Sequence, residues 1–165
     1  MELKEKILRK LESSRGEYVS GEQLAEGFGV SRNAVWKCIK LLEKEGFAIS
    51  SVKNRGYALL EESDALSASG IEKFLHGERP VKVLKKTGST NDEAKALAAL
   101  GARDGTIVVA ESQSEGRGRY RRPFYSPEGA GLYMSILLRP KIPASETLFI
   151  TTCAAVAVCE AIEEV

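Results

Sequence analysis

Histidine and cysteine are scarce in this sequence, and so are most of the metal sites and nucleophilic pairs built from them. The one histidine, His76, has no catalytic partner in view and reads as a surface residue. Cys38, Cys153 and Cys159 stand far apart or six residues apart, a spacing that matches no zinc pattern, and an odd number leaves one thiol over in any disulfide scheme. All three read as small buried hydrophobes. No apolar run approaches the ~20 residues of a membrane span. The opening MELKEKILRK lacks the apolar stretch of a signal peptide, so a cytoplasmic protein with no membrane partner is expected. Charge of one sign is also missing: the net value is +1, so any affinity for nucleic acid has to come from local clustering. Five prolines, 43% hydrophobic and 28% charged residues exclude a disordered or fibrous chain. At 165 residues there is room for one ordinary domain, or for a small domain and part of a second.

Residues 1–62 carry a dense set of local signals. Leu3, Ile7, Leu8 and Leu11 recur at helical spacing up to the breaker Ser13, Ser14, Arg15, Gly16. After a short extended piece at Tyr18 and Val19, Ser20 and Gln23 have capping-box spacing ahead of a second helix with Leu24, Ala25 and Phe28 on one side and Gly29 at its end. Ser31 is a good N-cap for a third helix reaching about Glu45. So tight a turn between two helices implies a helix-turn-helix. Val35, Cys38, Ile39 and Leu42 share the inner face of the third helix, leaving Arg32, Asn33, Trp36, Lys37 and Lys40 outside. Arg and Asn can pair with guanine and adenine edges, and Lys neutralises phosphate. FAISSVKNRGYALL then reads as a hairpin whose tip carries Lys53 and Arg55. From Ser31 to Tyr57 six basic residues meet two acidic ones. A winged-helix DNA-binding domain is expected, with Ser31, Arg32, Asn33, Trp36, Lys37, Lys40, Lys53 and Arg55 at the DNA. A plain solvated helix with a hairpin, or a winged helix that binds protein, would leave the same pattern.

Glu61, Glu62, Ser63 and Asp64 break the apolar pattern, and residues 63–165 read as a second unit. It should contain a short helix at Ser69 to Leu75, a strand around Val81 to Leu84, and a helix in TGSTNDEAKALAALG with an Ala94, Leu97, Leu100 stripe ending at Gly101. Thr90 and Glu93 have capping-box spacing there, so Ser89, Thr90 and Asn91 can be read simply as a helix cap. TIVVAESQ is a strand, and Gly131 to Leu138 another. Between them, Gly116 to Arg122 packs four arginines and two glycines into seven residues. Like charges without apolar content should leave this loop mobile until an anion arrives. Glycine lets backbone amides approach a phosphate, and guanidinium groups pair with phosphate or carboxylate. Gly-Arg repeats also occur in RNA-binding tails.

GSTN, then Gln113, then GRGR, then SPxGxGLYxS, in this order and behind a winged helix, resembles the bifunctional members of the biotin protein ligase family along essentially the whole chain. The resemblance implies an α+β protein, a winged helix followed by an α/β ligase domain with a mixed sheet and helices. It implies that biotin and ATP, the latter with magnesium and without a tightly bound metal, give biotinyl-5'-adenylate, whose acyl group passes to a lysine of the biotin carboxyl carrier domain of a carboxylase. The adenylate would act as corepressor for a homodimer on operator DNA. Carried over by position, Ser89, Thr90, Asn91 and Gln113 would bind biotin together with Arg117, Gly118 and Arg119 of a loop that closes over the adenylate. Arg117 and Arg119 would act in catalysis, while Gly116 and Arg122 would steady the loop and the nucleotide. Arg121 stands where relatives commonly have glycine and Phe124 where tryptophan is frequent, so the loop is expected to be stiffer and its aromatic lid smaller.

A lysine-tryptophan-proline-asparagine-aspartate motif of that family does not occur up to Val165. The resemblance therefore leads one to expect a fragment with an incomplete catalytic centre. Two other functions remain open at this point. One is a winged-helix regulator whose second domain senses a small anion without catalysis. The other is a lipoate ligase or transferase, although relatives of that kind usually lack the winged helix and the GRGR loop.

Overall fold

The computed structural model describes residues 2–118, 120 and 122–164. Three helices come first, α1 (Leu3–Ser13), α2 (Gly21–Phe28) and α3 (Arg32–Lys44). Local chemistry sets their starts. The Ser20 hydroxyl accepts from the Gln23 amide at 3.0 Å, and the Gln23 side chain accepts from the Ser20 amide at 3.2 Å. Ser31 likewise accepts from the Ala34 amide. The inner faces of α1 and α3 place Ile7, Leu11, Val35, Ile39 and Leu42 out of reach of water, where they meet Leu24, Phe47 and Leu59 in a single core. Each such side chain contributes ~1.5–3 kcal/mol by leaving water.

A hairpin follows, β1 (Ile49–Val52) antiparallel to β2 (Gly56–Leu59), with Val52 opposite Gly56. Asn54 at φ 66° and Gly56 at φ 109° make the turn. Gly56 is required on a second count: a Cβ there would lie 2.1 Å from the Val19 carbonyl oxygen. Val19 comes this close because it pairs with Tyr57, each amide donating to the other's carbonyl. The extended piece between α1 and α2 is thus stitched to the hairpin, and the unit is a winged helix-turn-helix.

The second part runs α4 (Ala68–Glu72), β3 (Val81–Thr87), α5 (Thr90–Ala99), β4 (Ile107–Gln113), β5 (Tyr133–Ile136), a 3-10 turn at Ala144–Glu146, and α6 (Leu148–Glu163). The sheet order is β3-β4-β5, with β3 parallel and β5 antiparallel to the central β4. The expected α+β architecture with a mixed sheet is what the chain forms. Ile107, Val108, Val109 and Ala110 are all buried, as a strand covered on both faces requires. Helix α5 connects β3 to β4 and packs on β4 and β5. Past β5, the Arg139 guanidinium donates to the Ala98 and Ala102 carbonyls at 3.1 Å. A cation at that end complements the helix dipole.

Several local expectations need correction. The ladder of β5 covers Tyr133–Ile136, not the whole of 131–138, although Leu137 still exchanges hydrogen bonds with Gly105 and Thr106. Leu100, placed in the buried stripe of α5, is 85% exposed, because the helix ends at Ala99 and Leu100 is its C-cap residue. Cys153 and Cys159 are exposed, and Cys38 is only partly buried. The first two lie on α6, which has no buried residue: apolar composition does not bury a helix unless another element covers it. Burial does push the Cys38 thiol above its ordinary pKa. His76 is exposed, as expected. Among the described residues no helix is long and apolar enough to cross a membrane.

Candidate functional site

Two separate surfaces collect the residues singled out in the sequence. On the winged helix, the outer face of α3 and the tip of the hairpin flank an open groove of about 760 Å³, lined by Arg32, Asn33, Trp36, Lys40, Lys53, Asn54 and Arg55 among others. Helical spacing puts Arg32, Trp36 and Lys40 on one line of α3. Lys37 is exposed but does not line the groove, and Ser31 is occupied as the N-cap. Lys40 shares its charge with Glu43 at 2.6 Å. Arg32, Lys37 and Lys53 have no ion-pair partner among the described residues. The Arg55 guanidinium stacks 4.4 Å from the ring centre of Tyr18, whose hydroxyl shares a hydrogen bond with Ser50. Cations stand on both sides of a gap, with Trp36 half exposed beside them.

The second surface lies at the carboxyl ends of the parallel strands β3 and β4, the usual place for a ligand in an open α/β sheet. Gln113, the last residue of β4, is its centre. The Gln113 Oε1 accepts from the Thr90 amide at 2.8 Å and from the Thr90 hydroxyl at 3.1 Å, while Nε2 donates to Ser126 Oγ at 3.3 Å. The Ser135 hydroxyl lies 2.9 Å from Thr90 Oγ1 and 3.0 Å from Asn91 Oδ1. Ser89, Thr90 and Ser126 are buried, whereas Asn91 is exposed. The reading of Ser89 to Asn91 as a plain helix cap fails here: Ser89 is the N-cap residue, yet its side chain makes no capping bond. The Thr90–Glu93 capping box is absent too. Thr90 is already helical and turned to Gln113, and the Glu93 carboxylate accepts instead from Lys82 at 2.8 Å and Thr87 at 3.2 Å.

The loop between β4 and β5 returns on itself. Gln113 and Ser126 pair through their backbones, as do Arg117 and Pro123. Phe124 donates to the Gly116 carbonyl and Gly118 to the Arg122 carbonyl, each at 2.8 Å. Gly116 is buried, and a Cβ there would fall 2.5 Å from both the Phe124 carbonyl oxygen and Ser126 Oγ. No other residue fits without moving the loop. Arg117 reaches back to Asp92 of α5, Nη2 to Oδ2 at 2.7 Å and Nη1 to Oδ1 at 3.4 Å. Gly118, Tyr120, Arg122, Pro123 and Phe124 line an open hollow beside Arg117. Arg119 and Arg121 lie outside the described residues. So Thr90, Asn91 and Gln113 are brought together, Arg117 joins them through Asp92, and Gly118 and Arg122 line the hollow that Arg117 also borders.

Ser126, Ser135 and Asp92 were missed as members of this cluster. The two serines open and close SPxGxGLYxS, and strand alternation from the buried Tyr133 to Ser135 would have turned the second one inward. Asp92 directly follows GSTN but carries no separate signal. Among the described residues no group of three or more His, Cys, Asp or Glu side chains could hold a metal ion.

The Lys82 ammonium first, and the Thr87 hydroxyl second, hold the Glu93 carboxyl below its ordinary pKa. A carboxylate with a depressed folded pKa adds stability above its unfolded value and loses it as pH falls through the folded one. Glu93→Gln should therefore lower the melting temperature at neutral pH, and the gap to wild type should close on acidification below the usual carboxylate range. Thermal melts across pH measure this; a gap that persists in acid would show that the ion pair is not its cause.

Comparison with known proteins follows the same division. Residues 4–58 match an HTH domain model, and residues 82–164 match the model of the biotin/lipoate A/B protein ligase family. The chain is 39% identical over 168 residues to the bifunctional ligase/repressor BirA of Bacillus subtilis (strain 168), covering 98% of this chain and 51% of that protein. It is 40% identical over 127 residues to the protein of the same name from Escherichia coli (strain K12), covering 76% and 39%. A solved structure of biotin protein ligase from Leishmania major in complex with biotinyl-5-AMP is similar over 33% of this chain and 22% of that one, at 36% identity and a TM-score of 0.31. The chain spans about half the length of the Bacillus relative. With a helix-turn-helix domain ahead of a matched second half, this chain belongs to the biotin/lipoate A/B protein ligase family.

Proposed function

We propose that the protein activates biotin with ATP and transfers it to a carrier lysine, and that its winged helix represses transcription at an operator with the adenylate as corepressor. The observation that carries this reading is the meeting of Thr90, Asn91, Gln113, Ser126 and Ser135 at the ends of β3 and β4, with Arg117 one ion pair away. Alternating amide and hydroxyl groups suit a cyclic urea, which needs donors and acceptors side by side. The biotin carboxylate attacks the α-phosphorus of ATP, pyrophosphate leaves, and the carrier amine later attacks the acyl carbon and releases AMP. ATP enters as its magnesium complex, part of the substrate. Two anions must approach each other, so cations placed beforehand offset their repulsion and stabilise the charge that develops on pyrophosphate.

Arg117, Gly118 and Arg119 serve this step, with Gly116 and Arg122 shaping the loop that shields the anhydride from water. Arg117 must leave Asp92 to reach a phosphate. The pair is half exposed, and such pairs are worth ~0–1 kcal/mol, so an incoming anion can take the arginine over at little cost. The carrier domain of a carboxylase, operator DNA and, with adenylate bound, a second copy of the chain are the partners of this reading.

Biotin should raise the melting temperature and lipoate should not, since a ligand that binds only the folded state adds about 2.7 kcal/mol at one hundred times its Kd. Equal shifts with both, or none with biotin, would contradict the reading. For the DNA half, Arg32→Ala should weaken binding and change the base preferred, whereas Lys53→Ala should weaken binding to every duplex alike and reduce the salt slope by about 0.9. Unchanged affinity in both variants, measured by fluorescence anisotropy over a salt series, would remove DNA from the function.

A further inference from the structure

Glu12 is the least accessible charged side chain among the ion pairs of the described residues, with 2% of it exposed, and no step of the proposed function uses it. It faces out of α1 toward the segment that follows the wing. Arg15 donates to both of its oxygens at 3.1 Å, Ser67 Oγ donates at 3.0 Å, and Lys73 lies 3.5 Å away. Two of these three partners come from the other side of the apparent domain boundary. Ser67 is also the N-cap of α4, accepting from the Gly70 amide at 2.8 Å. At Gly70 the fit has no slack: a Cβ would lie 2.9 Å from Glu12 Oε1 and 2.7 Å from Ser67 Oγ. Arg15 spends its remaining donors on the carbonyls of Ser63 at 2.7 Å and Glu61 at 3.3 Å. One turn earlier on α1, Arg9 pairs with Glu72 at 2.6 Å.

A charge this well buried is held only where its partners are fixed, and removing it strands two cations. Helix α4 packs on α1 with one side and on β3 with the other. A second tie runs parallel to it, from Lys85 of β3 to the Glu45 carbonyl at the end of α3. The stretch around residues 61–73, acidic and without an apolar pattern, therefore does not behave as a loose tether.

We infer that Glu12 is the anchor of a strut that clamps α4 to α1, so that the winged helix and the sheet domain move as one body and not as two beads on a linker. Strand β3, against which α4 rests, ends at Thr87, two residues before Ser89. A displacement of β3 reaches α1, and through their shared core the recognition helix α3, without passing along a flexible chain. The inference stands apart from the proposed ligand and DNA roles and does not need either.

Backbone relaxation and amide hydrogen exchange on the full chain test it. In the wild type, amides of residues 3–59 and 81–113 should give one rotational correlation time, and amides of 63–74 should exchange slowly. In Glu12→Gln the 63–74 amides should exchange at least tenfold faster and the two halves should tumble at different rates, with the chemical shifts of α2 and α3 retained. Should Glu12→Gln fail to fold, the double variant Ser67→Ala, Lys73→Met leaves the Glu12–Arg15 pair at the end of α1 intact and decides the matter by the same two readouts. Separate tumbling in the wild type, or a folded variant in which both quantities are unchanged, overturns the strut.

Discussion

One primary amide ties three segments of the second half of this protein to one another at the end of its sheet. Gln113 ends the central strand of a mixed sheet, and its side chain joins the first turn of α5 to the far end of the arginine loop. Its backbone amide adds a second bond to the loop, donating to the Ser126 carbonyl at 3.0 Å. An amide offers a donor and an acceptor on one rigid plane, so it can bridge two segments at a set separation. Because Ser126 is pinned in this way and Gly116 admits no side chain, the loop has a fixed base, with Arg117 and Arg122 facing water. Among the described residues, backbone hydrogen bonds from Phe124 to Gly116 and from Gly118 to Arg122 hold the two sides of the loop together.

The winged half was legible from the sequence because its signals are short-range. Ser20 with Gln23, Ser31, and Asn54 with Gly56 specify a cap, a second cap and a turn within a few residues each, and the structure uses all of them. The apolar period of α3 was equally readable, since Val35, Ile39 and Leu42 bury the same face. In the second half the same reasoning failed where a residue had a choice of partners. Thr90 and Glu93 have the spacing of a capping box, but the box competes with Gln113 on one side and with Lys82 and Thr87 on the other. Those tertiary partners win because they also tie α5 to the sheet. The spacing of Cys153 and Cys159 excludes a zinc pattern, but spacing does not say whether anything lies above α6. Glu12 carried no signal at all: it looks like any exposed glutamate at the end of an amphipathic helix until Ser67 and Lys73 arrive from fifty or more residues away.

The two surfaces differ in how they treat charge, and this bears on what each can do. On α3 and the hairpin the cations are largely left to solvent, which suits the neutralisation of a regular array of phosphates with release of counterions. At the sheet the one described arginine nearest the polar cluster is already matched by Asp92, itself approached by Lys95 at 3.5 Å. A half-exposed pair of this kind is weak, so Arg117 is held in place beside the cluster yet is released at little cost.

The central claim, that the polar cluster around Gln113 is where biotin binds, is tested most directly by titration calorimetry of biotin into wild type and Gln113→Leu. The account predicts saturable binding in the wild type and an affinity at least tenfold lower in the variant, since a buried hydrogen-bonding group left without its partner costs ~1–3 kcal/mol. Equal affinity in the two proteins would contradict it.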